Sequence, residues 1–125
     1  MKRILVVENE EAIRNICRLA LSQEGFAVDT ADNGALAQIM IGENQYDVCL
    51  IDLKMPVVGG QELFRWMEQK HPALTRRIIF ISGDVMGKES ADFLEQAAQP
   101  FLSKPFSLDE LKAAVAKALE SGDGR

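Results

Sequence analysis

Four short stretches of this chain carry side chains that can do ionic or group-transfer chemistry. Glu8-Asn9-Glu10 follows the apolar run Ile4–Val7, and Asp52 follows the run ending at Ile51. Ser82-Gly83 follows Ile78–Ile81, and Lys104-Pro105 comes just after Phe101-Leu102. Taken singly, each has a plain structural explanation. Asn9 suits a helix N-cap, with Glu10 and Glu11 favoured by the dipole of the first turn. Ser82-Gly83 suits a turn, and Lys104 suits a surface. Asp52 is harder to dismiss, because a carboxylate at the end of a buried-looking run needs partners or solvent. Four such coincidences at the ends of four apolar runs are less economical than one site. An acidic cluster, a hydroxyl and an ammonium together can hold a phosphate, provided that a cation offsets the acids.

The elements that must position these groups follow from apolar periodicity. Runs at Arg3–Val7, Phe26–Ala31, Asp47–Ile51, Ile78–Ile81 and Phe101-Leu102 are rich in Ile, Val, Leu and Phe with little polar alternation. That pattern predicts strands covered on both faces. Between them lie segments of helical period. In the first, Ile13, Ile16, Cys17, Ala20 and Leu21 form the inward stripe, with Arg14, Asn15 and Arg18 outward and Gly25 as a left-handed stop. The second is predicted from Gly34 to Ile41 with a stop at Gly42. The third, Gly60 to Lys70, carries Leu63, Trp66 and Met67 inward and ends at His71-Pro72. The fourth, Lys88 to Gln96, turns Phe93, Leu94 and Ala97 inward. The fifth opens with a capping box, Ser107 to Glu110, and an apolar stripe of Leu108, Leu111, Val115, Ala118 and Leu119.

Strand and helix alternate five times, so the strands run parallel with right-handed crossovers and helices on both faces. In open α/β sheets, ligands bind beyond the carboxyl ends of the strands. The four candidate stretches all fall on that rim.

Composition narrows the function classes. The 125 residues are 47% hydrophobic and 26% charged, an ordinary globular mixture for one domain. A net charge of −5 gives no basic footprint for nucleic acid or an anionic membrane. No stretch approaches the roughly 18–20 apolar residues of a membrane span, and the N-terminus lacks the pattern of a secretory signal. Cys17 and Cys49 read as buried, reduced thiols rather than a metal motif. The expected compartment is the cytoplasm. The expected organisation is one domain over residues 1–120 with a flexible tail at 121–125.

With the residues in view, the chain resembles the response-regulator receiver family, the chemotaxis-regulator-like domains of two-component systems. The likeness runs over nearly the whole chain through Ile4-Leu5-Val6-Val7-Glu8-Asn9-Glu10, Asp52-Leu53-Lys54-Met55-Pro56 with Gly60, Ile81-Ser82-Gly83, and Lys104-Pro105-Phe106. It implies a flavodoxin-like (βα)5 fold with strand order 2-1-3-4-5 and a cis Lys104–Pro105 bond. It implies Asp52 as phosphoacceptor, with Ser82 and Lys104 as its catalytic partners. Mg²⁺ would be held by Glu8, Asn9, Asp52 and the backbone carbonyl of Lys54. Ser82 and Phe101 would form the conformational switch, and Lys54 and Asp84 would tune the lifetime of the phosphoryl group. Expected partners are a histidine kinase or phosphotransfer domain, a downstream effector, and a second copy through the fourth helix, fifth strand and fifth helix. Such a domain is not an enzyme acting on a separate substrate, although it catalyses its own phosphorylation and dephosphorylation. Residues 93–106 are similar to the C-terminal receivers of hybrid sensor histidine kinases.

One departure stands out: the family usually has two acids where this chain has Glu8-Asn9. Asn9 offers an amide oxygen without charge, which favours the alternative of a phosphorylation-independent pseudo-receiver. Retention of Asp52, Ser82 and Lys104 opposes it. A flavodoxin-like electron carrier would need a Gly- or hydroxyl-rich phosphate loop where this chain has Glu-Asn-Glu-Glu.

Overall fold

The computed structural model describes residues 1–83 and 87–121. Five strands, β1 (Arg3–Val7), β2 (Ala27–Ala31), β3 (Val48–Asp52), β4 (Ile78–Ser82) and β5 (Phe101–Ser103), form one parallel sheet in the order β2-β1-β3-β4-β5. The helices are α1 (Glu11–Gln23), α2 (Gly34–Glu43), α3 (Gly60–Lys70), α4 (Lys88–Ala97) and α5 (Leu108–Ser121). Fold class and strand order are as expected from the sequence.

The near-continuous apolar strands split by residue parity into two cores. Leu5, Val7, Cys49, Ile51, Ile78 and Phe80 face α2, α3 and α4. Ile4, Val6, Val48, Leu50, Ile79, Ile81 and Leu102 face α1 and α5. Burying each large side chain contributes about 1.5–3 kcal/mol. Phe64, Phe80 and Phe93 add a cluster of edge-to-face rings 5.1–5.7 Å apart.

Several boundaries differ from the sequence reading. Asp47 lies outside β3, and Asp52 is its last residue. Ser82 likewise belongs to β4, while Phe26 precedes β2. Helix α2 runs through Gly42 to Glu43 and is closed by Asn44, whose backbone and side-chain N–H groups both donate to the Met40 carbonyl. A 3-10 turn at Pro72–Arg77, which has no apolar period to reveal it, joins α3 to β4. On α1, Ile16 is 49% exposed rather than inward, and Leu108 of α5 is also exposed. Phe64, not Trp66, is the fully packed aromatic of α3.

Two expectations at helix ends hold. Gly25 takes φ +96° just past α1, where its N–H and that of Phe26 close back on Ser22 and Leu21. Ser107 and Glu110 exchange the reciprocal bonds of a capping box at 3.0 and 2.8 Å.

Gly60 ties the fold to the site. A Cβ there would collide with the carbonyl oxygen of Asp52 and lie 2.7 Å from the Leu53 Cα. The backbone leaving β3 cannot yield without moving Asp52. We expect Gly60→Ala to cost about 1–3 kcal/mol in urea denaturation, the usual penalty of overpacking. A variant as stable as the parent would show that the approach is not a constraint.

Candidate functional site

At the carboxyl edge of the sheet, Glu8 leaves β1, Asp52 ends β3, Ser82 ends β4, and Lys104 follows β5. All four are set by strand register. Asp52 pairs with Ile81, and the next amide, Leu53, donates to the Ile81 carbonyl at 2.9 Å. The Lys104 amide donates to the Ser82 carbonyl at 2.9 Å, so the ends of β4 and β5 are locked together. The Lys104–Pro105 bond is cis, as expected.

Lys104 is the centre of the cluster. Its Nζ lies 2.8 Å from Glu10 Oε1, 3.1 Å from Glu8 Oε1, 3.2 Å from Glu8 Oε2 and 3.4 Å from Asp52 Oδ2. Glu8 and Asp52 are buried, whereas the Glu10 side chain is 59% exposed. Glu8 Oε2 also accepts the Glu10 amide at 2.9 Å. Glu8 Oε1, although in ion-pair range of Lys104, is a buried oxygen without a hydrogen bond.

The electrostatics follow from this crowding. Burial, then the neighbouring Glu8 carboxylate, pushes the Asp52 carboxyl up to about 7, against the opposing pull of Lys104 and the Lys54 amide. For Lys104, burial disfavours the charge, but its bonds to Glu10 and Glu8 and the charge of Asp52 outweigh that and hold the ammonium at about 12. Three carboxylates against one ammonium leave the pocket anionic, and Glu8 has an oxygen to spare. That donor set suits a hard divalent cation. Among the described residues, however, no group of three acidic, His or Cys side chains converges as a ready-made metal cluster.

The sequence-predicted residues do not all gather at this centre. Asn9 is exposed on the rim, and its helix-cap reading fails, because Glu10 holds the N-cap position and α1 has no side-chain cap. The Lys54 side chain is exposed, while its amide faces Asp52 Oδ1 at 3.4 Å. Ser82 is buried at the end of β4, and Phe101 is 48% exposed on β5. Asp84 lies outside the described residues. Cys17 and Cys49 are free, buried thiols, pushed up to about 12 by burial first of all.

Arg14 was missed by the sequence reading, which turned it to solvent. Its Nη1 instead donates to the carbonyls of Glu8 at 2.8 Å and Asn9 at 3.0 Å, pinning the acidic loop from one turn into α1. The signal was present in its spacing, since a long donor in the first turn of a helix can reach back to the loop before it.

Comparison with known proteins places this geometry in context. A family model described as the response regulator receiver domain matches residues 4–116. The phosphate regulon transcriptional regulatory protein PhoB of Rhizobium meliloti is 36% identical over 115 residues, covering 92% of this chain and 51% of that protein. The alginate biosynthesis transcriptional regulatory protein AlgB of Pseudomonas putida is 31% identical over 118 residues, covering 94% and 26%. The chain thus spans about a quarter to a half of these relatives. Among solved structures, the response regulator TrrA of Thermotoga maritima, in complex with Mg²⁺-BeF, superposes with a TM-score of 0.82 at 34% identity, covering 95% of this chain and all of that one. A CheY-like receiver domain of Methanospirillum hungatei gives a TM-score of 0.90, with 98% and 97% coverage, at 24% identity, a likeness of fold alone.

The raised Asp52 carboxyl predicts a pH dependence in metal-free protein. With the folded value near 7 and the ordinary value near 4, the native state holds the proton more tightly. Its contribution is fully present below about pH 4 and is lost as pH rises through about 7. Asp52→Asn therefore gains stability over the parent on the order of 2–4 kcal/mol at pH 8, and much less at pH 5. Urea denaturation in EDTA across that range measures the gap. Parallel profiles would refute the cost of ionising Asp52 beside Glu8 in this buried setting.

Proposed function

The chain belongs to the response regulator receiver family, the phosphoacceptor domains of two-component systems, and on that premise we propose that Asp52 is its phosphoacceptor. The single observation that supports this most is a buried Asp52 carboxylate with the Lys104 ammonium 3.4 Å away on the ligand-binding edge of the sheet. An Asp52 oxygen attacks phosphorus, the bond from phosphorus to the donor nitrogen or oxygen breaks, and an acyl phosphate forms. Lys104 pairs with the transferred oxygens as a compact cation, and the Ser82 hydroxyl donates to them. Glu8, Asp52, the Asn9 amide oxygen and the Lys54 carbonyl are the groups that would hold Mg²⁺. When bound, the ion supplies the positive charge that the acidic pocket lacks toward an incoming dianion.

The phosphodonor in this reading is a histidine kinase or a phosphotransfer domain, and the setting is cytoplasmic. Among the described residues, no helix is long and apolar enough to cross a membrane. The curated relatives are transcriptional regulators of greater length, and the receiver reports here to an effector protein or domain. Capture of the phosphoryl group draws Ser82 toward Asp52 and lets the exposed ring of Phe101 turn inward. That change remodels the α4–β5–α5 face, through which a second copy or an effector docks. Residues 1–120 make up the unit that does this. The pseudo-receiver reading rests on Asn9 alone and predicts no phosphorylation at all.

Incubation with acetyl phosphate and Mg²⁺ is expected to add one phosphoryl group, and Asp52→Asn to abolish its addition. Mass spectrometry of borohydride-trapped peptides locates the label; finding it on Ser82 or Glu8 would overturn the proposal. Asn9 carries a second expectation. Glu10 is engaged by Lys104, so its charge does not replace the acid missing at Asn9. Asn9→Asp should tighten Mg²⁺ binding roughly fivefold, the effect of ~1 kcal/mol from a unit charge in a wet crevice. Equal affinities by titration calorimetry would mean that the missing charge is compensated.

A further inference from the structure

We propose that Glu10 is a positioning residue that holds Lys104 at rest and sets how readily the ammonium transfers to a phosphoryl group on Asp52. The inference rests on the phosphoacceptor reading above and concerns a residue to which that reading gives no role.

An ammonium has three N–H donors, and here three carboxylates surround it. Lys104 therefore has no free donor at rest. To bond a phosphoryl oxygen it must let go of one partner, and the three choices differ in cost. In the metal-free pocket, releasing Glu8 would strand a buried carboxylate that already has an unbonded oxygen, and with Mg²⁺ present Glu8 is given over to the ion. Asp52 becomes the acyl phosphate, so the one N–H it frees serves a single phosphoryl oxygen, and a second such bond needs another partner to let go. Glu10 forms the shortest contact, 2.8 Å, yet its side chain is 59% exposed. Released, it is solvated by water at little cost. Glu10 is thus the partner that lets go.

The local backbone fits that role. Glu10 is at the N-cap position of α1 but makes no side-chain cap bond, so its carboxylate is not needed by the helix. Its amide is fixed by Glu8 Oε2 at 2.9 Å, and Arg14 pins the two preceding carbonyls. The backbone is held, and the exposed side chain, tied at rest to Lys104, can swing out once that bond breaks. Lys104 is in turn held through its own amide by the Ser82 carbonyl. The choice is then a side-chain exchange, with the Lys104 ammonium moving from an exposed carboxylate to the phosphoryl oxygens.

Beryllofluoride with Mg²⁺ is a suitable probe, because the complex mimics a phosphoryl group on a carboxylate. At saturating Mg²⁺, Glu10→Gln is expected to raise beryllofluoride affinity roughly two- to fivefold, the range for an ion pair half in water. Glu11→Gln removes the same charge from the adjacent exposed position and controls for simple repulsion of the anion. It should leave the affinity nearly unchanged. In ¹H–¹⁵N spectra of lysine ammonium groups, the Lys104 signal should shift in Glu10→Gln without beryllofluoride and stay put in Glu11→Gln. An unchanged or weaker affinity in Glu10→Gln, or an equal gain in both variants, would overturn the role given to Glu10. Failure of all three proteins to bind beryllofluoride would instead overturn the phosphoacceptor reading, and this inference with it.

Discussion

Two carboxylates buried side by side at the ends of adjacent strands are an unfavourable thing to fold, and the ammonium of Lys104 is what makes it tolerable. Without it, Glu8 and Asp52 would share a low-dielectric site with no cation, and one of them would have to stay protonated. With it, the cluster is held but not satisfied. The pocket remains net negative, Glu8 keeps an unbonded oxygen, and the Asp52 carboxyl still sits near 7. That partial balance is more useful than a perfect one. A fully neutralised cluster would have no reason to accept a further cation or to exchange partners when an anion arrives.

The rest of the fold serves to keep both carboxylates within 3–4 Å of the Lys104 ammonium. Parallel pairing puts the ends of β1, β3, β4 and β5 on one edge, and the two-sided cores make the register expensive to shift. Gly60 lets the start of α3 press on the Asp52 backbone, which no side chain would permit. Arg14 holds the loop after β1 by its carbonyls, leaving the side chains of Glu8 and Glu10 to face Lys104. Rigid backbones and a few mobile charges are the arrangement that allows a small electrostatic change to be answered by side chains alone.

Much of this was legible in the sequence because it is written in periodicity and at strand ends. Unbroken Ile/Val/Leu runs identify strands covered on both faces, and the residues just past each run are presented at the edge; Asp52 and Ser82 follow their runs directly, and Lys104 comes two residues after Leu102. What escaped was set by length and by three-dimensional choice. The 3-10 turn at Pro72–Arg77 is too short for a hydrophobic period to register. Ile16 matched the stripe of α1 by spacing, yet it falls just outside the arc that the sheet covers. Arg14 looked like a solvated charge because its spacing permits a reach back to the loop carbonyls but does not choose that reach over solvent; the fold does. The pairing of Glu10 with Lys104 spans 94 residues of chain, and no local pattern encodes it.

The exposed face bears on how such a site is heard elsewhere. Phe101 pairs in register with Phe80, which lies at the centre of the aromatic cluster with Phe64 and Phe93. Three residues on, Lys104 joins the charged cluster and is bonded through its amide to Ser82. A single short strand, β5, therefore carries at one end an aromatic side chain half in solvent and at the other the cation of the site. Burying the Phe101 ring offers a gain of the order of 1–2 kcal/mol, since about half of it is already covered. That is comparable with the strength of one partly exposed ion pair such as Glu10–Lys104. On the switch reading proposed above, terms this close in size would let a change of partner at Lys104 be matched by a change of rotamer at Phe101. Coupling between sites needs near-equal opposing terms of this kind, because a ligand shifts an equilibrium only by its differential affinity for the two states.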